Sequence, residues 1–441
     1  MNNDRKRAWY VLLILFGINT MNFYDRQIIG VVGEQIRKEW ALSDTMFGVL
    51  SLAFTLMYAA VGVPLGRLAD TWSRKKILGI GVTIWSMLTA ATGLAPTFNW
   101  LFATRLAVGV GEASCAPAAN SLIGDLFPPR KRAMALSIFM MGLPIGLFLS
   151  YRISGMIAQA YSWREAFYFA CIPGLLLALL VFTIREPERG AAEAHPSANR
   201  KRAGSPYWIV LSIPTMIWII VSGALFNFNS YAVNVFLPAF LMRTHLMGLK
   251  EAANVSSIVL GAVGIIGLLA GGWAADHISK IRSDGKLLLS SITMLIAAPC
   301  IYFALRQQPG ETVSFMLLMG AGTLFMFVYY SCVYSTIQDV IEPSLRGTAM
   351  ALYFFAMYLL GGCLGPLVTG VLSDHFATKA MVAAGASVMT EQFKAVGLHR
   401  AMYAIPIVCA LLAFVLLAAS RTASADVEKL RTWLREQEAL G

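Results

Sequence analysis

Four charged residues stand inside long apolar stretches, where an ionised side chain needs a partner. Asp25 and Arg26 lie in the first such stretch, and Arg105 and Glu112 lie in the fourth. A charge at membrane depth costs about 2.5 kcal/mol or more, so such groups normally face a polar cavity and pair with one another. Two acids and two bases form a nearly neutral set. We therefore expect these four side chains to lie together.

The two carboxylates, Asp25 and Glu112, are the candidates for proton transfer. A poorly hydrated cavity and a neighbouring arginine act in opposite senses on the protonation of a carboxylate. A conformational change that alters this balance would take up or release a proton. The alternative is a static buried salt bridge that only fixes helix packing, with Arg26 and Arg105 as the partners.

Other polar side chains in apolar stretches are candidates for binding a substrate. Asn22 lies one helical turn before Asp25, and Arg152 stands in the fifth apolar stretch. An extra cation at a cavity favours a carboxylate, phosphate or sulfate on the substrate, whereas the alternative is that Arg152 snorkels towards the outer surface. The second half of the chain offers uncharged candidates, which are Asn227, Asn229, Asn234, Tyr330 and Tyr353.

Helices that span a membrane must position these residues, because the composition excludes a soluble protein. The 441 residues are 57% hydrophobic and only 13% charged, which does not fit water-soluble packing. Runs of about 20 apolar residues, the length that crosses about 30 Å of hydrocarbon, recur along the chain. We predict an all-α membrane protein with twelve spans, at residues 9–33, 46–69, 77–94, 100–124, 134–159, 166–184, 209–241, 252–273, 286–305, 313–337, 348–373 and 400–420.

The basic residues indicate how the spans are oriented. The net charge of +11 could suggest a nucleic-acid partner, but most of the 35 lysines and arginines fall in connections that share one side of a twelve-span chain. This bias follows the positive-inside rule, so nucleic acid is unnecessary. We predict a multi-pass protein of the inner (cytoplasmic) membrane with both termini in the cytoplasm.

Partners and cofactors are predicted from what the sequence offers to them. The five histidines are far apart and the six cysteines show no CxxC spacing, so we expect no metal site. We expect no cofactor. The predicted partners are the lipid bilayer, a small-molecule or lipid-like substrate, and protons, and we expect a monomer.

The longest polar interval, residues 185–206, divides the chain into six spans and six. We predict an N-terminal six-helix bundle at 1–184, a cytoplasmic linker at 185–206, a C-terminal six-helix bundle at 207–420 and a cytoplasmic tail at 421–441. The two bundles would be related by a pseudo-twofold axis. Parallel repeats of this kind are an architecture of secondary transporters, with the substrate near the midplane between the repeats.

Two short patterns recur at the same places in both halves, which indicates an internal duplication. The sequence GRLAD at 66–70, at the end of span two, is echoed by GWAAD at 272–276, at the end of span eight. The segment after span four, DLFPPRKR at 125–132, is echoed after span ten by DVIEPSLR at 339–346.

Residues 66–76, GRLADTWSRKK, closely resemble the loop between helices two and three of the major facilitator superfamily. The resemblance implies the major facilitator fold and a latch that breaks and reforms as the halves rock. Physically, Gly66 permits close helix approach, and Asp70 beside Arg74 supplies a charge pair or helix-end contact. The alternative is an ordinary positive-inside loop with a structural aspartate. The other residues of this gating pattern are Asp125, Arg132, Gly272, Asp276, Asp339 and Arg346.

A second resemblance is to the Spinster-like transporters and their bacterial members. It rests on NFYDRQ at 22–27, GVGEAS at 109–114, DLFPP at 125–129, WREAF at 163–167 and REP at 185–187. Organic-anion symporters of the anion:cation symporter type share the charges of spans one and four. The Spinster-like family implies proton-linked movement of a lipid-like or organic anion.

These observations favour a secondary active transporter rather than an enzyme. We predict proton-coupled, rocker-switch movement of an amphipathic or small organic anion, either lysolipid-like or a carboxylate. The alternative is broad drug efflux by proton antiport, although a cavity rich in arginine repels cationic drugs. An ATP-driven pump is disfavoured because the chain has no GxxxxGK[ST] motif. A membrane enzyme is a remote alternative because the chain has neither HExxH nor GxSxG, and a non-transporting sensor is equally remote.

Overall fold

The computed structural model describes residues 2–188, 205–342 and 345–439, which are almost entirely helical and contain no strand within those ranges. Ten helices of this described part are long and apolar enough to cross a membrane. The helix Asn2–Glu39, which contains several charges, and the pair Phe98–Glu112 and Cys115–Leu126 bring the number of membrane-length segments to the predicted twelve.

The first six spans precede the linker, and the other six follow it. Spans one to six are Asn2–Glu39, Asp44–Thr71, Arg74–Gly93, Phe98–Glu112 with Cys115–Leu126, Pro129–Met140 with Gly142–Ala160, and Trp163–Thr183. After the short helix Pro206–Leu211, spans seven to twelve are Pro214–Thr244, Leu249–Ser279, Gly285–Leu305, Thr312–Val340, Arg346–Ala383, and Glu391–Met402 with Ala404–Ala439.

Within the described ranges, three spans contain a π-helical turn. The turns are Ser150–Ser154 in span five, Ser257–Ala262 in span eight and Met357–Gly362 in span eleven. Spans five and eleven occupy the same position in the two halves of the chain. A π turn inserts one residue into the helix and therefore rotates the side chains that follow it.

Short polar residues begin several spans of the first half. The hydroxyl of Ser43 accepts from the backbone N–H of Met46, and the hydroxyl of Ser73 accepts from that of Lys76. Such caps satisfy backbone donors that have no partner in the first helical turn. They allow one span to begin within a few residues of the end of the preceding one.

Residue contacts divide the chain into two compact units. The first is Met1–Ser197 with Asn234–Ala262, and the second is Ala198–Val233 with Val263–Gly441, in each case for the residues that the structure describes. The late part of span seven and the early part of span eight therefore belong to the first unit. The predicted division into bundles at 1–184 and 207–420, with a linker at 185–206, stays a prediction.

A close helix contact explains why span seven joins the first unit. A Cβ atom at Gly30 of span one would lie 2.6 Å from the backbone oxygen of Asn234. Only a glycine permits the two backbones to approach so closely. The hydroxyl of Tyr151 also donates to the Asn234 oxygen at 2.6 Å, which ties span five to the same point.

Candidate functional site

The centre of the first unit contains a buried ion pair between spans one and four. The Nε of Arg26 donates to Oε2 of Glu112 at 2.8 Å, and the two side chains are 3% and 0% exposed. The side-chain amide of Asn22 donates to the same oxygen at 3.0 Å. Asn22 and Arg26 are four residues apart, so one face of span one presents both donors to Glu112. The structure therefore brings together three of the predicted residues.

Asp25 and Arg105 complete the charged cluster. Asp25 is 1% exposed, and its Oδ2 accepts from the hydroxyl of Thr89 at 3.2 Å. Arg105 is also buried and interacts electrostatically with both carboxylates. Oδ1 of Asp25, Oε1 of Glu112 and Nη1 of Arg105 have no hydrogen-bond partner among the described residues. Buried polar atoms without partners are rare in folded proteins, so these three are available to a proton or a ligand.

Aromatic rings from spans one and two surround the two arginines. The Arg26 guanidinium lies 4.2 Å from the ring centroid of Tyr58, 5.0 Å from Phe23 and 5.2 Å from Phe54. The Arg105 guanidinium lies 5.0 Å from the same Phe54 ring. Desolvated cation–π contacts of this kind contribute about 2 kcal/mol or more. They offset part of the cost of holding two like charges in one buried site.

Gly109 explains how Phe54 reaches both arginines. A Cβ at Gly109 would lie 2.6 Å from the backbone oxygen of Phe54, so spans two and four are in close backbone contact at this level. Arg105 and Glu112 lie one turn before and one turn after Gly109 on the same helix face. The space beside Gly109 is thus filled by span two, and Phe54 lies beside the charges.

A second ionic cluster lies at the linker end of the first unit, around Arg74. Its Nε and its backbone N–H both donate to Oε1 of Glu186 at 2.9 Å, and its Nη1 pairs with Asp125. Its Nη2 donates to the backbone oxygen of Pro187 at 2.7 Å. Arg74 is 1% exposed. It therefore connects the start of span three, the end of span four and the first residues after span six.

Glu186 is a member of this cluster that the sequence did not predict. Burial raises the pKa of its carboxyl, but hydrogen bonds from the Ser73 hydroxyl and from Arg74 outweigh burial and hold the pKa below the usual 4.5. The carboxylate is therefore ionised at neutral pH and pairs with Arg74. The REP pattern at 185–187 was visible in the sequence, but no nearby residue indicated that Glu186 pairs with Arg74.

The repeated gating residues make matching contacts in both halves. Arg132 donates through Nη2 to the oxygen of Gly124, and Arg346 donates through Nη2 to the oxygen of Gln338, each eight residues back. Asp125 pairs with Arg74, whereas Asp339 accepts from Nζ of Lys286 at 2.7 Å. Each half thus ties the end of its fourth helix to the start of its third.

The remaining gating residues are more loosely held. A Cβ at Gly66 would meet Pro117 only at 4.0 Å, and one at Gly272 would meet Ser331 at 3.8 Å. Asp276 is exposed. The side chain of Asp70 lies outside the described part of the structure, so its predicted pairing with Arg74 stays a prediction.

The structure does not gather the other predicted binding residues into one place. Asn227 donates to the backbone oxygen of Met357 at 3.0 Å, and Asn229 donates to the sulfur of Cys409 at 3.2 Å. Both lie in the second unit, whereas Asn234 belongs to the first. Tyr330 and Tyr353 lie in an aromatic cluster of the second unit that also includes Phe226, Tyr329, Tyr334 and Phe354.

A chain of buried hydroxyl groups fixes the orientation of this aromatic cluster. The Ser222 hydroxyl donates to the oxygen of Ile219 at 2.8 Å, so it accepts from the Tyr329 hydroxyl, which lies 2.8 Å away. The single hydroxyl proton of Tyr329 is therefore donated to Ser222. The Tyr353 hydroxyl, which lies 3.1 Å from that of Tyr329, must then donate to Tyr329. The direction of the chain follows because each hydroxyl has one proton.

Arg152 lies apart from the buried cluster. It is exposed, it stands in the π turn of span five, and its Nη1 donates to the side-chain oxygen of Asn254 at 2.9 Å. It forms no ion pair within the described ranges.

A third ionic cluster, which the sequence did not predict, lies at the end of the first unit opposite the linker. Arg243 of span seven donates to Glu34 of span one at 2.9 Å and to both oxygens of Asp44 of span two at 2.8 Å. Arg37 also donates to Glu34, at 2.6 Å. The side chains of Arg243, Glu34 and Asp44 are 5%, 1% and 4% exposed. We call Glu34, Arg37, Asp44 and Arg243 the far-side quartet.

Twelve helical segments with charges buried between them define a polytopic membrane transport protein. A family profile described as the Major Facilitator Superfamily matches residues 15–366. The chain belongs to this superfamily, and the predicted fold and the prediction that it is a transporter rather than an enzyme are confirmed.

Several known proteins are similar to this chain. It is 30% identical over 373 residues to an MFS-type efflux pump of Mycolicibacterium smegmatis, a match that covers 84% of this chain and 85% of the relative. It is 30% identical over 390 residues to protein spinster homolog 1 of Xenopus laevis, a match that covers 84% of this chain and 74% of the relative. It is 26% identical over 380 residues to a hexuronate transporter of Bacillus subtilis, a match that covers 83% of this chain and 88% of the relative.

One solved structure resembles the whole chain. The crystal structure of a bacterial homolog to the human lysosomal transporter Spinster, in an inward-facing and unoccupied conformation, superposes with a TM-score of 0.85 at 28% identity. The superposition covers 95% of this chain and 98% of that one. The predicted resemblance to the Spinster-like transporters is thus confirmed.

Proposed function

We propose that this protein is a proton-coupled secondary transporter that moves a small or amphipathic organic anion across the cytoplasmic membrane, with both termini in the cytoplasm. The observation that carries the proposal is the buried cluster of Asp25, Arg26, Arg105 and Glu112. It contains two carboxylates that can exchange protons and an arginine N–H without a partner.

Proton exchange and anion binding are coupled in this proposal through the arginines. When Glu112 is ionised, it accepts from Arg26 and interacts with Arg105. Protonation of Glu112 removes a negative charge from the cluster, and the arginines then attract an external anion more strongly. A proton and an anion thus favour each other's binding, which is the linkage that symport requires.

The far-side quartet and the Arg74 cluster serve as gates in the same proposal. Arg243 holds the late part of span seven against spans one and two, and this contact has to break for the far side to open. Arg74 is the hub at the linker end, where it joins span three to the end of span four and to the first residues after span six. Alternation between the two clusters would expose the charged centre to one side at a time.

The relatives favour different substrates, so drug efflux by proton antiport remains the second candidate. One relative is named an efflux pump, and another is named a hexuronate transporter. We favour the anion because protonation of Glu112 leaves the two buried arginines in excess over the carboxylates, and a positive site repels cationic drugs. A sugar acid or another carboxylate meets this requirement.

A ligand screen on the purified chain tests the substrate class. Thermal stability is measured with glucuronate, an aromatic carboxylate, a lysolipid and a cationic dye, each at several concentrations. Binding to the folded state raises the melting temperature by mass action. Stabilisation by at least one anion, and its loss in Arg105→Gln, supports the proposal. Stabilisation by the cationic dye alone would overturn the anion and favour the efflux reading.

A further inference from the structure

Arg152 is a predicted site residue that the proposed transport cycle does not use. Its guanidinium carries five N–H donors, and Asn254 takes one of them. Arg152 and Lys250 form no ion pair in the described part of the chain, and the nearby Glu251 forms none with them. Two cations on one surface therefore lack a counter-charge from the protein.

The neighbours of these two cations indicate that they face lipid. Met156 lies one turn after Arg152 and is 45% exposed, and Ile258 lies one turn after Asn254 and is 39% exposed. Exposed apolar side chains on a membrane-spanning helix normally contact acyl chains. Arg152 and Asn254 therefore each have an exposed apolar side chain close by on the same helix.

The depth of the residues places them just below the lipid headgroups. Lys250 lies in the first turn of the helix Leu249–Ser256, and Asn254 lies one turn deeper on the same face. Arg152 is eight residues before the end of span five at Ala160, or about 12 Å along the axis. Lys and Arg at such positions extend their charged ends to the interface.

We propose that Arg152, Asn254 and Lys250 form a binding site for the phosphate group of a membrane phospholipid, in the leaflet opposite the linker. The planar guanidinium binds two phosphate oxygens side by side. Lys250 adds a second positive charge nearer the surface. A soluble phosphate is disfavoured as the ligand because Met156 and Ile258 line the site with acyl-chain contacts.

The π turns of spans five and eight position the site. A Cβ at Gly155 would clash with Ala253, and one at Gly261 would lie 2.5 Å from Phe148, so the two spans are in close contact on both sides of Arg152. The bond from Arg152 to Asn254 crosses this contact. A lipid phosphate bound there would hold the two spans together.

Thermal unfolding of the full chain in detergent tests this site. Phosphatidylglycerol is compared with diacylglycerol of the same acyl chains and with inorganic phosphate. We expect phosphatidylglycerol to raise the melting temperature of the wild type more than either of the others. Arg152→Gln should reduce this excess by at least half, and Arg152→Lys should keep most of it. Arg306→Gln, which changes an exposed arginine elsewhere, is the matched control and should behave as the wild type.

The outcomes separate the sources of phosphate. If diacylglycerol raises the melting temperature as much as phosphatidylglycerol does, acyl chains suffice for binding. If inorganic phosphate raises it as much, the ligand is soluble. Either result overturns the proposal. A full phosphatidylglycerol effect in Arg152→Gln would also overturn it. If Arg152→Gln does not fold, Lys250→Gln provides the same comparison, with a partial loss expected.

Discussion

Arg26 and Glu112, 86 residues apart in the sequence, form an ion pair in which Nε and Oε2 lie 2.8 Å apart and both side chains are buried. This contact joins span one to span four in the centre of the first unit. It places a buried carboxylate next to a permanent cation. Both the stability of the unit and the proposed coupling therefore depend on it.

Removal of one partner of this pair is expected to destabilise the protein strongly. Arg26→Leu leaves Glu112 buried beside a smaller positive charge, at a cost of about 3–5 kcal/mol. The double variant Arg26→Leu with Glu112→Leu should recover most of the loss, because no uncompensated charge remains. Chemical denaturation monitored by tryptophan fluorescence provides the measurement, and equal losses in the single and double variants would contradict the assignment.

The hydroxyl chain of the second unit predicts unequal effects for two similar substitutions. Tyr353→Phe removes one terminal hydrogen bond, at a cost of about 0.5–1.5 kcal/mol. Tyr329→Phe should cost more, because it leaves the Tyr353 hydroxyl without its acceptor and the Ser222 hydroxyl without its donor. Thermal unfolding of both variants provides the comparison. A larger loss for Tyr353→Phe would contradict the middle position of Tyr329 in the chain.

The contacts of Glu186 at the linker end predict that the stability of the folded protein depends on pH. Its pKa is held below 4.5 in the folded protein, where Ser73 and Arg74 donate to it. Its stabilising contribution is therefore present above the unfolded pKa and is lost as the pH falls through the folded pKa. We expect the acid-side loss of stability below about pH 4.5 to be smaller in Glu186→Gln. Glu188→Gln, an exposed neighbour, is the control and should retain the wild-type profile.

The far-side quartet predicts a local opening when Arg243 is changed. Arg243→Gln leaves Glu34 and Asp44 buried with less positive charge, which favours separation of span seven from spans one and two. Hydrogen exchange should increase in residues 34–44 and 234–247. Arg306→Gln should leave these segments unchanged. Exchange in Arg243→Gln that equals the wild type would show that the quartet does not hold this end closed.

The sequence predicted the central charges because they stand out in apolar surroundings. Arg105, Gly109 and Glu112 follow a helical period, so their common face was visible without a structure. The far-side quartet was not visible, because Arg243 and Asp44 lie 199 residues apart and lie near span ends, where charges are common. No local pattern relates two residues at such a separation.

The surroundings of Arg152 also could not be predicted from the sequence. Its position in an apolar stretch suggested a cavity, but the π turn Ser150–Ser154 changes the phase of span five at this residue. A period of 3.6 residues therefore assigns the wrong face to the side chains around it. The aromatic residues illustrate the same limit, because composition indicated Tyr330 and Tyr353 but not the hydroxyl chain that orients Tyr353.

Transport in proteoliposomes tests the central proposal most directly. Accumulation of the carboxylate identified in the ligand screen is measured under an imposed pH gradient, and exchange of the same compound is measured without a gradient. In Asp25→Asn and Glu112→Gln we expect gradient-driven accumulation to be lost and exchange to persist, because binding and movement remain while proton coupling is removed. Accumulation at the wild-type level in both variants would contradict the proposal that these carboxylates carry the proton.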